Sequence, residues 1–248
     1  MTKYLYKGLP IMTVLVALVL WQWMVKWTGV PNWILPAPSE IGVAFWENRG
    51  IIWSNSWPTI RITLLGLGLA VMTALVVALS MNLSHWVKRA LYPLLITSQT
   101  VPIIALAPLF LIWFGYGVLP KVLVVALVCF FPIAVNLLTG FQETDEDMRK
   151  LMDAMGAGKW KRFLKLELPS SLPYFFTGLK IAATYSVMGA VIGEWLGGSE
   201  GLGLQLVRAS QSFATDLFFA IILVIVTLSL AMVGLVVAFS YLLMPWNR

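Results

Sequence analysis

The chain has 248 residues, of which 60% are hydrophobic and only 11% charged, with a mean hydropathy of +0.87. Such a composition excludes an ordinary soluble globule of this size, which is far more polar. Seventeen Lys and Arg against eleven Asp and Glu give a net charge of +6, and the placement of those cations argues for membrane orientation rather than nucleic-acid binding.

Continuous apolar runs, without the period-two alternation of a transmembrane barrel, predict helices that cross about 30 Å of hydrocarbon in roughly 20 residues each. Six are expected, near residues 11–29, 60–81, 91–114, 120–139, 173–193 and 217–241. The fold class is therefore all-α and polytopic, one membrane domain over residues 1–248. Lys3 and Lys7 precede the first run as in a secretory signal, but Trp21, Gln22 and Trp23 stand where cleavage wants small residues, so this run is read as a retained span. With the N-terminus inside, Lys26, Arg49, Arg61, Lys121 and Arg208 fall outside and Lys180 within a span, while the other cations, through to Arg248, fall inside. That bias predicts cytoplasmic termini.

The segment from Val30 to Pro58 is rich in Trp and Pro, and Ser39 is placed to cap a short surface helix through Trp46. The third run holds Pro93, Pro102 and Pro108, with Ser98, Gln99 and Thr100 between them. Proline removes a backbone donor and frees carbonyls, which a membrane tolerates where protein or a water-filled cavity satisfies them. Ser98, Gln99, Thr100 and Pro102 are thus candidates for a solute path, or for a bent helix bonded to its neighbours. Cys129, the single cysteine, is read as an apolar filler and excludes an intramolecular disulfide. In the fifth run Tyr185 and Ser186 are further path candidates, and Lys180 is expected to snorkel. Glu194, just ahead of Gly197, Gly198, Gly201 and Gly203, is read as a gate, a close subunit contact or a loop carboxylate in water.

Between the fourth and fifth runs lies a charged, amphipathic loop, residues 141–169. Thr144 is placed to cap a helix whose first turn holds Asp145, Glu146 and Asp147, and Gly156 to close it. Met148, Leu151, Met152 and Met155 recur at i, i+3, i+4 and i+7 as one apolar stripe. Flexible, polarisable thioethers suit a surface that repacks against a moving partner. A second short helix is expected over residues 159–166, stopped by Pro169, with Lys159, Lys161, Arg162 and Lys165 available to lipid headgroups.

An enzyme finds little support. His85 is the single histidine, and Gly156–Lys159 fails as a phosphate loop because Asp153 occupies the first glycine position and Trp160 that of Ser or Thr. A secondary transporter or channel is the alternative of another class, although no related halves stand out.

Gly156, Leu166, Leu168 and Pro169 match the spacing of the cytoplasmic signature of the integral membrane permeases of binding-protein-dependent ABC importers. The chain resembles that family over nearly its whole length. The signature's opening Glu-Ala-Ala is absent, and Lys150, Leu151 and Met152 stand in its place. The runs from Leu35 (LPAPSE), Pro102 (PIIALAPLFLIWF), Phe131 (FPI) and Gly193 (GEWLGGSEGLG) are similar to permeases of the nitrate, sulfonate, taurine and thiamine-precursor subgroup. Met155-Gly156-Ala157 and the run from Leu168 (LPSSLPYFFTGLKIAA) look most like members assigned to pyrimidine precursors of thiamine, or to riboflavin.

The resemblance implies a type I importer permease fold and a homodimer in the bacterial inner membrane. It implies an extracytoplasmic solute-binding protein and a cytoplasmic ATPase dimer that holds ATP and Mg, this chain being non-catalytic and without a cofactor or metal of its own. Met148, Leu151, Met152, Met155, Gly156 and Ala157 would couple to the ATPase. A thiamine pyrimidine precursor is the implied solute, with aliphatic sulfonate, nitrate, taurine or riboflavin as alternatives.

Overall fold

The structure, a computed structural model, describes residues 2–245; Arg248, counted above among the inner cations, lies outside them. Among the described residues all regular structure is helical: α1 (Thr2–Thr28), α2 (Pro38–Glu47), α3 (Arg49–Leu83), α4 (His85–Ser98), α5 (Ile103–Phe114), α6 (Val118–Gln142), α7 (Glu146–Ala154), α8 (Lys159–Arg162), a π turn (Phe163–Glu167), α9 (Leu168–Gly197), α10 (Leu202–Gln211) and α11 (Thr215–Leu243). Among the described residues five stretches are long and apolar enough to cross a membrane, α1, α3, α6, α8 through α9, and α11, and α4 with α5 passes the same test as a bent pair, which makes up to six.

Three segments differ from their expected course. The run over 91–114 is two helices, α4 and α5, that meet at 104° across Gln99–Pro102. Pro102 has no N–H to donate and biases the residue before it toward extended backbone, so the chain turns there instead of continuing as a helix. α3 begins at Arg49 rather than near residue 60 and takes Pro58 inside it, because Asn55, Ser56 and Thr59 on its first turns all find protein partners. Pro169 does not stop a helix. α8, the π turn and α9 run on as one rod, Lys159–Gly197. The widened turn directly precedes Pro169, whose ring a regular α turn would drive into the carbonyl of Lys165.

α6 forms the axis of the bundle, packed along α9 on one side and α3 on the other. Both neighbours turn small residues toward it. On α3 these are Gly66, Ala70, Ala74 and Ala78, at intervals of one turn, the three alanines fully buried. On α9 they include Gly178, Ala182, Ser186 and Gly189. Fully buried Val125 sits between Gly66 and Gly189: a Cβ on Gly66 would overlap the Val125 side chain, and one on Gly189 would stand 3.2 Å from Val125 Cα. Cys129 fills the same seam, its thiol donating to the Ala182 carbonyl at 3.3 Å. Lipid tails are as apolar as these side chains, so close packing rather than transfer from water holds the helices together. The faces turned away from the bundle remain apolar, as Leu15, Leu20, Leu64, Leu230 and Leu235 show by their exposure.

Candidate functional site

At one end of the bundle α7 stands clear of it, with no buried residue of its own. Its cap is Asp145, whose carboxylate accepts from Asp147 N–H at 2.8 Å and Met148 N–H at 3.2 Å. Thr144, the expected cap, is instead buried and donates its hydroxyl to the Gly140 carbonyl at 3.4 Å. The other end closes as anticipated. Gly156 adopts φ +72°, and the N–H groups of Gly156 and Ala157 bond back to the carbonyls of Asp153 and Met152, each at 3.0 Å. This is the left-handed helix stop that favours glycine. Met148, Leu151 and Met155 are 48%, 53% and 75% exposed, with Met152 partly covered beside them. The stripe is thus an apolar face held in the open on a charged rod.

Charged contacts fasten this rod. Arg149 donates to the Phe141 carbonyl, and its Nε lies 3.8 Å from Glu167 Oε1. Asp153 receives Arg162 Nη1 on both carboxylate oxygens at 2.8 Å, and Arg162 Nε lies 3.3 Å from the same Glu167 oxygen. Asn82, in the last turn of α3, donates to Glu167 Oε2 at 3.0 Å. Glu167 is 7% exposed. Sequence reasoning missed it, because it occupies the unconstrained place between Leu166 and Leu168 of the signature. By contrast, the pairs of Lys150 with Glu146 and Asp147 lie in the open, where such pairs contribute a few tenths of a kcal/mol, about 0.3–0.5.

On the surface of the bundle, the break between α4 and α5 borders an open recess of about 370 Å³. Ser98, Gln99 and Tyr185 line it together with Phe131, Pro132 and Met188. The other path candidates lie elsewhere. Thr100 is exposed and donates to the Thr97 carbonyl at 2.7 Å, and Pro102 serves as the cap of α5. Ser186 is fully buried in the packed core, donating to Ala183 at 2.8 Å.

At the far end from α7, Glu194 is fully buried, not a loop carboxylate in water. One oxygen accepts from the Thr59 hydroxyl and the other from Gly203 N–H, both at 2.8 Å. Thr59 in turn accepts from Leu202 N–H at 3.0 Å, and Asn55 from Gly201 N–H at 2.9 Å. The glycine-rich turn after α9 is thereby latched to α3. Gly201 is needed twice over, since it holds φ +113° and a Cβ there would strike the Glu194 carboxyl. Lys121, one of the cations expected on the extracytoplasmic side, is buried against Gly193 and lines a second recess, of about 490 Å³, with Tyr116, Trp195 and Glu200.

Residues 66–241 match the family described as binding-protein-dependent transport system inner membrane component. The chain is 37% identical over 248 residues to the formylaminopyrimidine transport permease protein ThiX of Halalkalibacterium halodurans, covering 99% of each chain. It is 33% identical over 242 residues to the riboflavin transport system permease protein RibX of Chloroflexus aurantiacus, covering 97% of this chain and 90% of that one. Its fold is similar to that in a crystal structure of an amino acid ABC transporter with histidines, at a TM-score of 0.66 over 80% of this chain and 96% of the other, with 16% sequence identity.

Proposed function

This chain belongs to the family of binding-protein-dependent transport system inner membrane components, and from that premise we propose which surfaces it uses and what it carries. It is the permease subunit of an ABC importer, a non-catalytic membrane protein with a type I permease fold. The secondary-transporter and channel readings end there. ATP and Mg belong to a partner ATPase dimer, which in our reading grips the α7 stripe from the cytoplasm, the side on which both termini lie. Two copies of this chain enclose the path in a lipid belt, and an extracytoplasmic binding protein delivers solute at the Glu194 end.

The observation that carries the docking reading is the exposed stripe of Met148, Leu151 and Met155 on a rod that buries nothing in its own bundle. Closure of the ATPases on nucleotide would bias the permease between inward-facing and outward-facing states, a two-state element driven by a partner's ligand. Gly156 and Ala157 fix where the rod ends. Ser98, Gln99 and Tyr185 offer solute contacts beside the broken α4–α5 pair.

The proposed solute is a formylated aminopyrimidine, the compound in the name of the relative at 37% identity over nearly the full length. A recess that combines an aromatic face from Tyr185 or Phe131 with the Gln99 amide and the Ser98 hydroxyl suits a flat, polar ring. Riboflavin is the second reading, favoured by the relative at 33%. The experiment is uptake into proteoliposomes that hold this chain with its cognate ATPase and binding protein. ATP-dependent uptake of formylaminopyrimidine in preference to riboflavin and taurine is expected. Uptake of riboflavin or taurine alone would overturn the solute, and an ATPase that fails to bind the wild-type chain would overturn the docking surface.

A further inference from the structure

We propose that Glu167 is the positioning residue through which movement of the α7 rod reaches the membrane helices; the proposal rests on the docking reading given above. α7 contributes no side chain to the core, so its grip on the bundle is polar. Apart from the bond of Arg149 to Phe141, two routes leave the rod, and both end on one carboxylate. Arg149 approaches Glu167 directly at 3.8 Å. Asp153 reaches it through Arg162, by steps of 2.8 and 3.3 Å.

From Glu167 the connection divides between two membrane helices. Its second oxygen accepts from Asn82 of α3 at 3.0 Å. Glu167 is also the last residue of the π turn, which Leu168 N–H closes onto the Phe163 carbonyl and which feeds directly into α9. α3 and α9 are the two helices that flank α6, so a pull on the rod is delivered to both sides of the bundle axis at once. The π turn sets the aim of the carboxylate: an extra residue in a turn rotates what precedes it by about 100° relative to a regular helix. Such turns recur at functional positions in helices.

Glu167 is the buried member of this junction, while the side chains of Arg149, Arg162 and Asp153 remain 30%, 24% and 54% exposed. At 7% exposure Glu167 is little screened by salt, unlike the open pairs of Lys150. Four charges form one chain, Arg149 to Glu167 to Arg162 to Asp153. Without the Glu167 charge Arg149 loses its carboxylate and Arg162 keeps only Asp153, so the link from α7 to the π turn is cut. The rod would still present its methionines but would no longer be held to α3 and α9.

The test uses the full importer in proteoliposomes, with ATP hydrolysis and formylaminopyrimidine uptake measured separately on the same preparation. Glu167→Gln keeps the volume and the acceptor for Asn82 while removing the charge. Asn82→Leu severs the α3 branch alone and leaves no unpaired charge. In both variants the ATPase is expected to co-purify as in the wild type, and uptake per ATP hydrolysed to fall about tenfold. The double variant should lose little more than either single one, because both break one chain of contacts. Undiminished uptake per ATP in either single variant, with the ATPase bound, overturns the proposal. Loss of ATPase binding or of membrane insertion in both variants also overturns it, since Glu167 would then hold the fold rather than transmit movement. Should Glu167→Gln alone fail to insert, the coupling ratio of Asn82→Leu decides. Failure of the wild-type chain to bind the ATPase is a different result and removes the docking reading instead.

Discussion

Replacing Glu194 with alanine should free the glycine-rich turn between α9 and α10 while leaving the bundle assembled. Two bonds vanish, to the Thr59 hydroxyl and to Gly203 N–H, each 2.8 Å in the wild type. The losses are unequal. Thr59 also lies 3.2 Å from the Asn55 carbonyl and can donate there, whereas Gly203 N–H loses its partner in a buried site. A bond to a carboxylate contributes about 1.5–3 kcal/mol, and an orphaned buried donor costs about 1–3 kcal/mol. The two figures overlap, since some of the first is the second, so a local cost of about 2–4 kcal/mol follows. Since about 1.4 kcal/mol is a factor of ten, the turn should open about 30- to 1000-fold more often. Hydrogen–deuterium exchange in nanodiscs reads this directly as faster exchange of the amides of Gly201, Leu202 and Gly203. Amides around Val125 and Cys129 in α6 serve as the unaffected reference. Glu194→Gln, which keeps one acceptor, should fall between. Unchanged protection of Leu202 and Gly203 in the alanine variant would refute the latch.

Introducing Met152→Asp and Met155→Asp together should leave insertion intact, since no α7 residue is buried, but would place unpaired charge under the ATPase at about 3–5 kcal/mol; co-purification should drop more than about a hundredfold, and an ATPase retained at wild-type levels would count against the stripe as its seat. Gly178→Ala forces a methyl into the Pro132 carbonyl and to within 3.0 Å of Asn136 Cβ and Ile133 Cα, an overpacking cost of about 1–3 kcal/mol. Its melting temperature in detergent should fall, while that of Gly42→Ala, where nothing lies within 4 Å, should not. Gln99→Ala and Tyr185→Ala should each raise KM for solute about tenfold, roughly 1.4 kcal/mol, with basal ATP hydrolysis unchanged; a KM indifferent to both moves the solute contact out of the α4–α5 recess.

The membrane helices were legible because a long apolar run without charge has few other fates, and the Met stripe because helical periodicity survives on an exposed rod. What stayed hidden were features made by pairing across distance. Glu194 announces itself as a carboxylate at the end of a run, but its burial depends on Thr59, 135 positions away, and on a backbone N–H that carries no sequence signature. Asn55 and Ser56 lie ahead of the span expected from about residue 60, yet α3 already includes them, because Asn55 accepts from Gly201 N–H and Ser56 donates to the Ile52 carbonyl. Glu167 stands at an unconstrained place of the signature, and its partner Asn82 lies 85 positions from it. Thr144 and Asp145 are both acceptable caps by residue type. Burial of Thr144 against Gly140 decided between them.

The unbroken run Lys159–Gly197 comprises 39 residues, which at about 1.5 Å each extends roughly 58 Å, nearly twice the hydrocarbon thickness of about 30 Å. A helix of that length is a lever. Tilting it by about 5° displaces its far tip by roughly 5 Å, the distance of one helical turn. The same arc joins Arg162, which is paired with Asp153 of α7, to Glu194 at the other extremity. A modest rocking at the end beside α7 would therefore reach the Glu194 end as a displacement of about one helical turn, with no intermediate joint required to amplify it.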